Sequence, residues 1–180
     1  MLKKRLFDLS FSLFFFMIIL PFLIILIIIA SIDTKSFGLF IQERVGQNGH
    51  LFLIYKIKTF RNNKSTNIGI LLRKYKIDEL PQFFNILIGN MSFVGPRPDI
   101  KGYYDELEGE NRKVLKLKPG LTCPASIKYF NEEELLSKQT NPEKYNSEVI
   151  FPDKIKMNLD YYYNRSFLSD LLILWRTIFK

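Results

Sequence analysis

The segment from Phe11 to Ala30 (FSLFFFMIILPFLIILIIIA) carries no charge and is bounded by Asp8 and Asp33. It matches the roughly 20 apolar residues that a helix needs to cross lipid hydrocarbon. A cleaved leader fits less well, because its apolar stretch is shorter and its cleavage site is marked by small residues, whereas Ala30-Ser31 leads into Ile32 and Asp33. Pro21 sits in the middle of the run, where its missing N–H and its ring bend or break a helix. Cations flank both ends, Lys3, Lys4 and Arg5 before and Lys35 and Arg44 after, so the positive-inside rule draws both to the cytoplasmic side. That balance favours a re-entrant helix-break-helix anchor over residues 1–35. A bent span stays open, because non-helical backbone at that depth must find hydrogen-bond partners.

The rest of the 180 residues suffices for one compact domain, expected over residues 36–180. The net charge of +8, from 26 Lys and Arg against 18 Asp and Glu, favours an anionic partner. Charge alone does not choose among nucleic acid, lipid headgroups and phosphorylated substrates. Cys123 is the single cysteine and His50 the single histidine, which excludes an internal disulfide and a Cys/His zinc cluster. No familiar nucleic-acid recognition motif is present, so nucleic acid is not an expected partner.

Leu39 to Gln42 and Leu51 to Lys58 are β-rich runs around a turn containing Gly46, Asn48 and Gly49, which predicts a small β-hairpin. Thr59 to Asn67 reads as loop, and Ile68 to Tyr75 and Pro81 to Ile88 carry helical spacing. Ser92 to Pro98 reads as a Gly/Pro loop, Tyr103 to Leu117 as a helix and Pro119-Gly120 as a turn. Val149 to Tyr163 and Phe167 to Phe179 are amphipathic, suited either to core packing or to a helix lying on a membrane surface.

Asp78 and Glu79 are adjacent, with Pro81 following, a pattern expected at a helix start. One reading is charge complementarity with the positive helix end. The other is that this end, with Mg²⁺, holds a diphosphate against a carboxylate nucleophile. Lys56, Lys58 and Arg61 close the second strand, Arg73 precedes Asp78 by five residues, and Arg97 lies in Gly95-Pro-Arg-Pro98. Singly these are solvated charges; together they suit a pyrophosphate and the charge developing on a departing nucleotide. Flanking prolines would hold Arg97 ready for bidentate phosphate contact.

The ordered motifs Gly38-Leu-Phe-Ile-Gln42, Arg44-Val-Gly46, Phe52-Leu-Ile-Tyr-Lys-Ile-Lys-Thr59, Ile77-Asp-Glu-Leu-Pro-Gln82, Gly89-Asn-Met-Ser-Phe-Val-Gly-Pro-Arg-Pro98 and Lys118-Pro-Gly-Leu-Thr122 resemble the bacterial sugar transferase family. These are small monotopic polyprenol-phosphate phosphoglycosyl transferases. The resemblance runs from Lys4-Arg-Leu-Phe-Asp8 to Ser166-Phe-Leu-Ser-Asp170. It implies an α+β enzyme with an N-terminal re-entrant membrane helix broken at Pro21, a small β-hairpin, and surface amphipathic helices around a compact catalytic domain on the cytoplasmic face of the bacterial inner membrane.

The implied reaction moves a sugar 1-phosphate from a UDP-sugar to undecaprenyl phosphate, releasing UMP, as the first membrane step of glycan assembly. Asp78 is then the nucleophile and a Mg²⁺ ligand, Glu79 the second acid, and Lys58, Arg73 and Arg97 the phosphate contacts. Inner-membrane lipids and a downstream glycosyltransferase are the further implied partners. The chain departs from the family pattern in three places. Leu20 stands where the family has Ser before Pro21, Asn90 where it has Asp, and Thr122-Cys-Pro-Ala-Ser126 where it has Thr-Gly-Trp-Ala-Gln. The last change marks a different sugar pocket, with Cys123 a packing residue. The competing reading is a non-catalytic membrane module whose basic face binds anionic lipid or a glycosyltransferase.

Overall fold

The computed structural model describes residues 2–179. They form mixed helix and small sheets in two compact units: the chain up to Arg44 with Leu51–Met91, and Val45–His50 with everything from Ser92 onward.

The first unit begins with α1 (Leu2–Thr34), among the described residues the one helix long and apolar enough to cross a membrane. Its helical conformation continues through Pro21, where the sequence led us to expect a break. Proline removes only its own donor, and apolar helices tolerate it where the freed backbone groups are satisfied again. Arg5 donates from Nη1 to the Ile86 carbonyl (2.8 Å) and from Nη2 to the Leu87 carbonyl (3.0 Å). Further along, the Ser31 hydroxyl donates to the Ile27 carbonyl at 2.7 Å and accepts from the Gly38 N–H at 2.8 Å. A Cβ on Gly38 would stand 2.1 Å from the Ile27 oxygen, so only glycine fits. Leu23 and Ala30 are buried with Ile57 and Leu72, while Phe14, Met17, Ile18, Phe22, Ile25 and Ile28 are exposed.

β1 (Leu39–Val45) and β2 (Leu51–Ile57) pair as the expected hairpin. The stretch expected as loop contains a second, smaller hairpin of β3 (Phe60–Arg61) and β4 (Lys64–Ser65). Its turn residues Asn62 and Asn63 both have positive φ, 51° and 60°, which asparagine tolerates in a type I′ turn. α2 (Asn67–Lys74) is capped by Thr66, whose hydroxyl accepts from the Gly69 N–H at 2.9 Å. The chain then reverses at Lys76 (φ 56°), makes a 3₁₀ turn over Ile77–Glu79 and passes through Pro81 into α3 (Gln82–Ile88). Gly89 (φ 92°) ends α3 in the left-handed conformation typical of helix termini. Asn85, fully buried, fastens α3 to β2: its amide donates to the Leu53 carbonyl at 2.6 Å and its carbonyl accepts from the Tyr55 N–H at 3.2 Å.

In the second unit, the residues expected as loop and turn instead form a parallel pair, β5 (Ser92–Val94) with β6 (Gly120–Thr122). Gly95 and Gly120 cross so closely that a Cβ on Gly120 would lie 2.1 Å from the Gly95 nitrogen. Tyr103 to Leu117 is not one helix as expected. It is two 3₁₀ segments, Tyr104–Glu106 and Asn111–Lys116, separated where Leu107 is extended and Gly109 has φ 54°. The helix-like apolar spacing there reflects burial of Tyr104, Val114 and Leu115 in one core with Val45 and Ile155.

The remaining helices are α4 (Pro124–Lys128), α5 (Glu132–Ser137), α6 (Pro142–Tyr145), α7 (Phe151–Asn164) and α8 (Phe167–Ile178), with a π turn at Asn146–Ile150 before α7. Cys123 is buried and caps α4, its sulfur accepting from the Ser126 N–H at 3.3 Å, in keeping with packing rather than chemistry. α8 opens with a Ser166/Ser169 capping box. It buries Asp170 and Ile173, while Leu168, Leu172, Trp175 and Ile178 remain exposed. The core-packing reading therefore holds for one face, and the other presents exposed apolar side chains.

Candidate active site

From Ile77 onward the segment winds through the 3₁₀ turn into α3, which keeps Asp78, Gln82 and Asn85 within about two turns of one another. Asn85 fixes this segment against β2, which also carries Lys56. The two acids are drawn inward with it: Asp78 is 7% exposed and Glu79 6%. Lys76, a non-glycine residue held at positive φ, marks the strained entry to the site.

Glu79 is paired. Lys56 Nζ lies 3.3 Å from its Oε1, with both side chains largely buried. Asp78 is treated differently. Its Oδ1 is buried with no hydrogen-bond partner, although an unpaired buried acceptor is costly. Burial pushes its carboxyl above the ordinary aspartate range and the neighbouring Glu79 charge pushes it further, while Lys56, Lys76 and Arg73 pull it back. One further atom of this segment is unpartnered, the amide Nε2 of the buried Gln82.

Of the residues singled out from the sequence, the first unit brings Asp78, Glu79 and Arg73 together, with Arg73 also stacked over the Phe60 ring at 4.9 Å. Lys58 is instead hydrogen-bonded to Ser36, Nζ to Oγ at 2.7 Å. It is Lys56 that grips Glu79; both lysines are legible in the sequence as cations at the end of β2, and only packing separates their roles. Arg97 belongs to the second unit, in a crevice with Val45, Gly46, Tyr104 and Leu117. Pro21 lies within α1. Gln82 was missed, and the signal for it was its spacing of four from Asp78.

Among the described residues no three His, Cys, Asp or Glu side chains converge on a metal cage. Mg²⁺ does not need one, since it is usually held by one or two carboxylates with substrate phosphates and water. The unpartnered Asp78 Oδ1 beside Glu79 fits that mode.

This arrangement of a buried, unpaired carboxylate beside a lysine-held second acid occurs in a chain with well-defined relatives. The exopolysaccharide production protein PSS of Rhizobium leguminosarum bv. phaseoli is 30% identical over 196 residues, covering 97% of this chain and 92% of that protein. The uncharacterized sugar transferase EpsL of Bacillus subtilis (strain 168) is 30% identical over 192 residues, 100% of this chain and 87% of its own. The UDP-glucose:undecaprenyl-phosphate glucose-1-phosphate transferase of Klebsiella pneumoniae is 32% identical over 200 residues, 100% of this chain but 40% of that longer protein. The pattern described as bacterial sugar transferase matches residues 1–180, and the chain therefore belongs to that family of transferases.

Proposed function

We propose that the protein transfers a sugar 1-phosphate from a UDP-sugar to undecaprenyl phosphate and releases UMP. The Klebsiella relative is named for this reaction with UDP-glucose. The observation that carries the reading is Asp78, a buried carboxylate with one oxygen unpaired, next to an acid that a lysine already holds.

In the first step an Asp78 oxygen attacks the β-phosphorus of the donor. An O–P bond forms as the bond from that phosphorus to the bridging oxygen breaks, and UMP leaves with the electron pair as a phosphate anion. The phosphosugar stays on Asp78 as an acyl phosphate. In the second step an oxygen of undecaprenyl phosphate attacks the same phosphorus, the acyl phosphate bond breaks, and the carboxylate is restored. Glu79, held by Lys56, stands ready to accept a proton carried in on the acceptor phosphate. Arg73 and Lys58 offer positive charge to the donor phosphates. Asp78 would hold Mg²⁺, whose charge when bound would offset that of the leaving nucleotide.

Asp78→Asn protein should still associate with membranes yet release no UMP from any member of a UDP-sugar panel; retained release would overturn this mechanism. A membrane module without catalysis would show lipid binding with no turnover by the unaltered protein.

The same unit supports a re-entrant anchor at the inner membrane, with the catalytic residues on the cytoplasmic face. A straight helix of 33 residues would be about 50 Å long. Yet Arg5 near one end is bonded to α3 and Ser31 near the other to Gly38, both within one compact unit. A span would carry these ends to opposite faces of the bilayer. Accessibility labelling at positions 4 and 35 separates the cases, and labelling from opposite sides would rule out re-entrance.

A further inference from the structure

Gln82 is 2% exposed, and its amide nitrogen donates to nothing among the described residues. A buried donor without a partner is normally removed or satisfied, because its desolvation goes unrepaid. Here it stands four residues after Asp78, about one turn further along the same segment, whose other unpartnered atom is Asp78 Oδ1. The two are complementary, a donor and an acceptor, yet they are not bonded to each other. An unpaired carboxylate keeps its lone pairs for attack or for a cation, which a Gln–Asp hydrogen bond would draw down. What the glutamine lacks is an acceptor, and a group attached to Asp78 would bring one.

Resting on the covalent mechanism proposed above, we infer that Gln82 is a further catalytic residue: its Nε2–H donates to a non-bridging oxygen of the phosphoryl group as that group moves onto Asp78. The contact is absent from the resting enzyme and is made as the O–P bond forms, the condition under which an interaction raises the rate rather than only tightening substrate binding. A neutral donor suits the position. It stabilises phosphoryl oxygens without adding a cation that would pair with Asp78 beforehand.

The test uses the full-length protein in membranes or lipid nanodiscs, with UMP release as readout and thermal unfolding as control. Gln82→Met, similar in length and without a donor, should lower kcat by about 100- to 1,000-fold, the range of a lost transition-state donor. Its KM for the UDP-sugar should be little changed. Its melting temperature should hold or rise, since an unsatisfied buried donor has been removed. Gln82→Glu should be slower still, as its carboxylate repels the phosphoryl oxygens. Wild-type kcat in Gln82→Met would overturn the inference alone, and so would a lowered melting temperature in that variant, which assigns Gln82 to folding. Full UMP release by Asp78→Asn would overturn the covalent reading itself, and this inference with it.

Discussion

In the second unit Asp153 accepts from Lys128 Nζ and from the Tyr129 hydroxyl at 2.7 Å each, and these bonds hold its carboxyl below the ordinary range. Glu132 takes both of its oxygens to Lys154, at 2.6 and 2.7 Å. Glu134 is held by Lys138 and Glu110 by Lys113 and Tyr163, and both are shifted down by those bonds. In the first unit Asp78 moves the other way. It is deeper, one of its oxygens is unpaired, and burial outweighs three nearby cations. Carboxylates fully met by donors stabilise a fold and little else. One left unmet at a cost to the fold is available for a ligand or a reaction, which is why strongly perturbed acids concentrate at functional sites.

The largest expected effect breaks or keeps that contrast directly. Asp78→Asn should lower UMP release by at least about 10³-fold, as for loss of a nucleophile, whereas Asp153→Asn should leave it within about twofold. Stability should move oppositely. With its folded-state pKa raised, Asp78 binds its proton more tightly in the native state, so stability falls as pH rises from the unfolded value of 3.8 through the raised one. Asp78→Asn removes that penalty and should melt higher at neutral pH. A lower melting temperature would mean that Asp78 is a structural anion like Asp153.

Next in size is Asn85→Ala, which strands the Leu53 carbonyl and the Tyr55 N–H in the interior. Two unmet backbone groups predict a loss of about 2–4 kcal/mol, read by denaturant unfolding in detergent. Because Asn85 fastens to β2 the segment that carries Asp78 and Gln82, activity should fall even below the melting range. If stability drops and kcat does not, the register of α3 on β2 is not what aims the nucleophile.

A sharper test uses the sign of two pKa effects. Lys56 lowers the Asp78 pKa and Glu79 raises it. Lys56→Met should therefore move the acid limb of kcat/KM to higher pH, since Asp78 must be ionised to attack. Glu79→Gln should move it to lower pH, whatever each does to the rate at the optimum. Shifts in the same direction would assign that limb to another group.

Much of this was readable in the residues. The apolar run between Asp8 and Asp33 announced α1, the Asn48-Gly49 turn announced the main hairpin, and Ile77-Asp-Glu-Leu-Pro-Gln82 announced the acidic pair. The parallel pairing of β5 with β6 was not, because the Gly/Pro signals there come from the close crossing of Gly95 and Gly120, which joins segments far apart in the chain. Tyr103 to Leu117 misled for a related reason: apolar spacing records which side chains are buried, and two 3₁₀ segments packed on one core show much the same spacing as a helix. That Lys56 rather than Lys58 pairs with Glu79 was not legible, because two lysines on one strand edge differ only in what packs opposite them.

The smallest effect belongs to the satisfied carboxylates, and its pH dependence carries the argument. Asp153 is held below its ordinary pKa, so its contribution is present above the unfolded value of 3.8 and is lost as pH falls through the lowered one. The group lies at the surface, where solvent and salt screen it, so Asp153→Asn should lower stability only slightly at neutral pH. That small difference from wild type should shrink as pH falls below 3.8, and raised ionic strength at neutral pH should shrink it too. The Asp78→Asn difference should change far less with salt, because it arises mainly from desolvation and only secondarily from paired charges. Equal salt sensitivity in the two variants would place Asp78 among the solvated ion pairs and remove the contrast between the units.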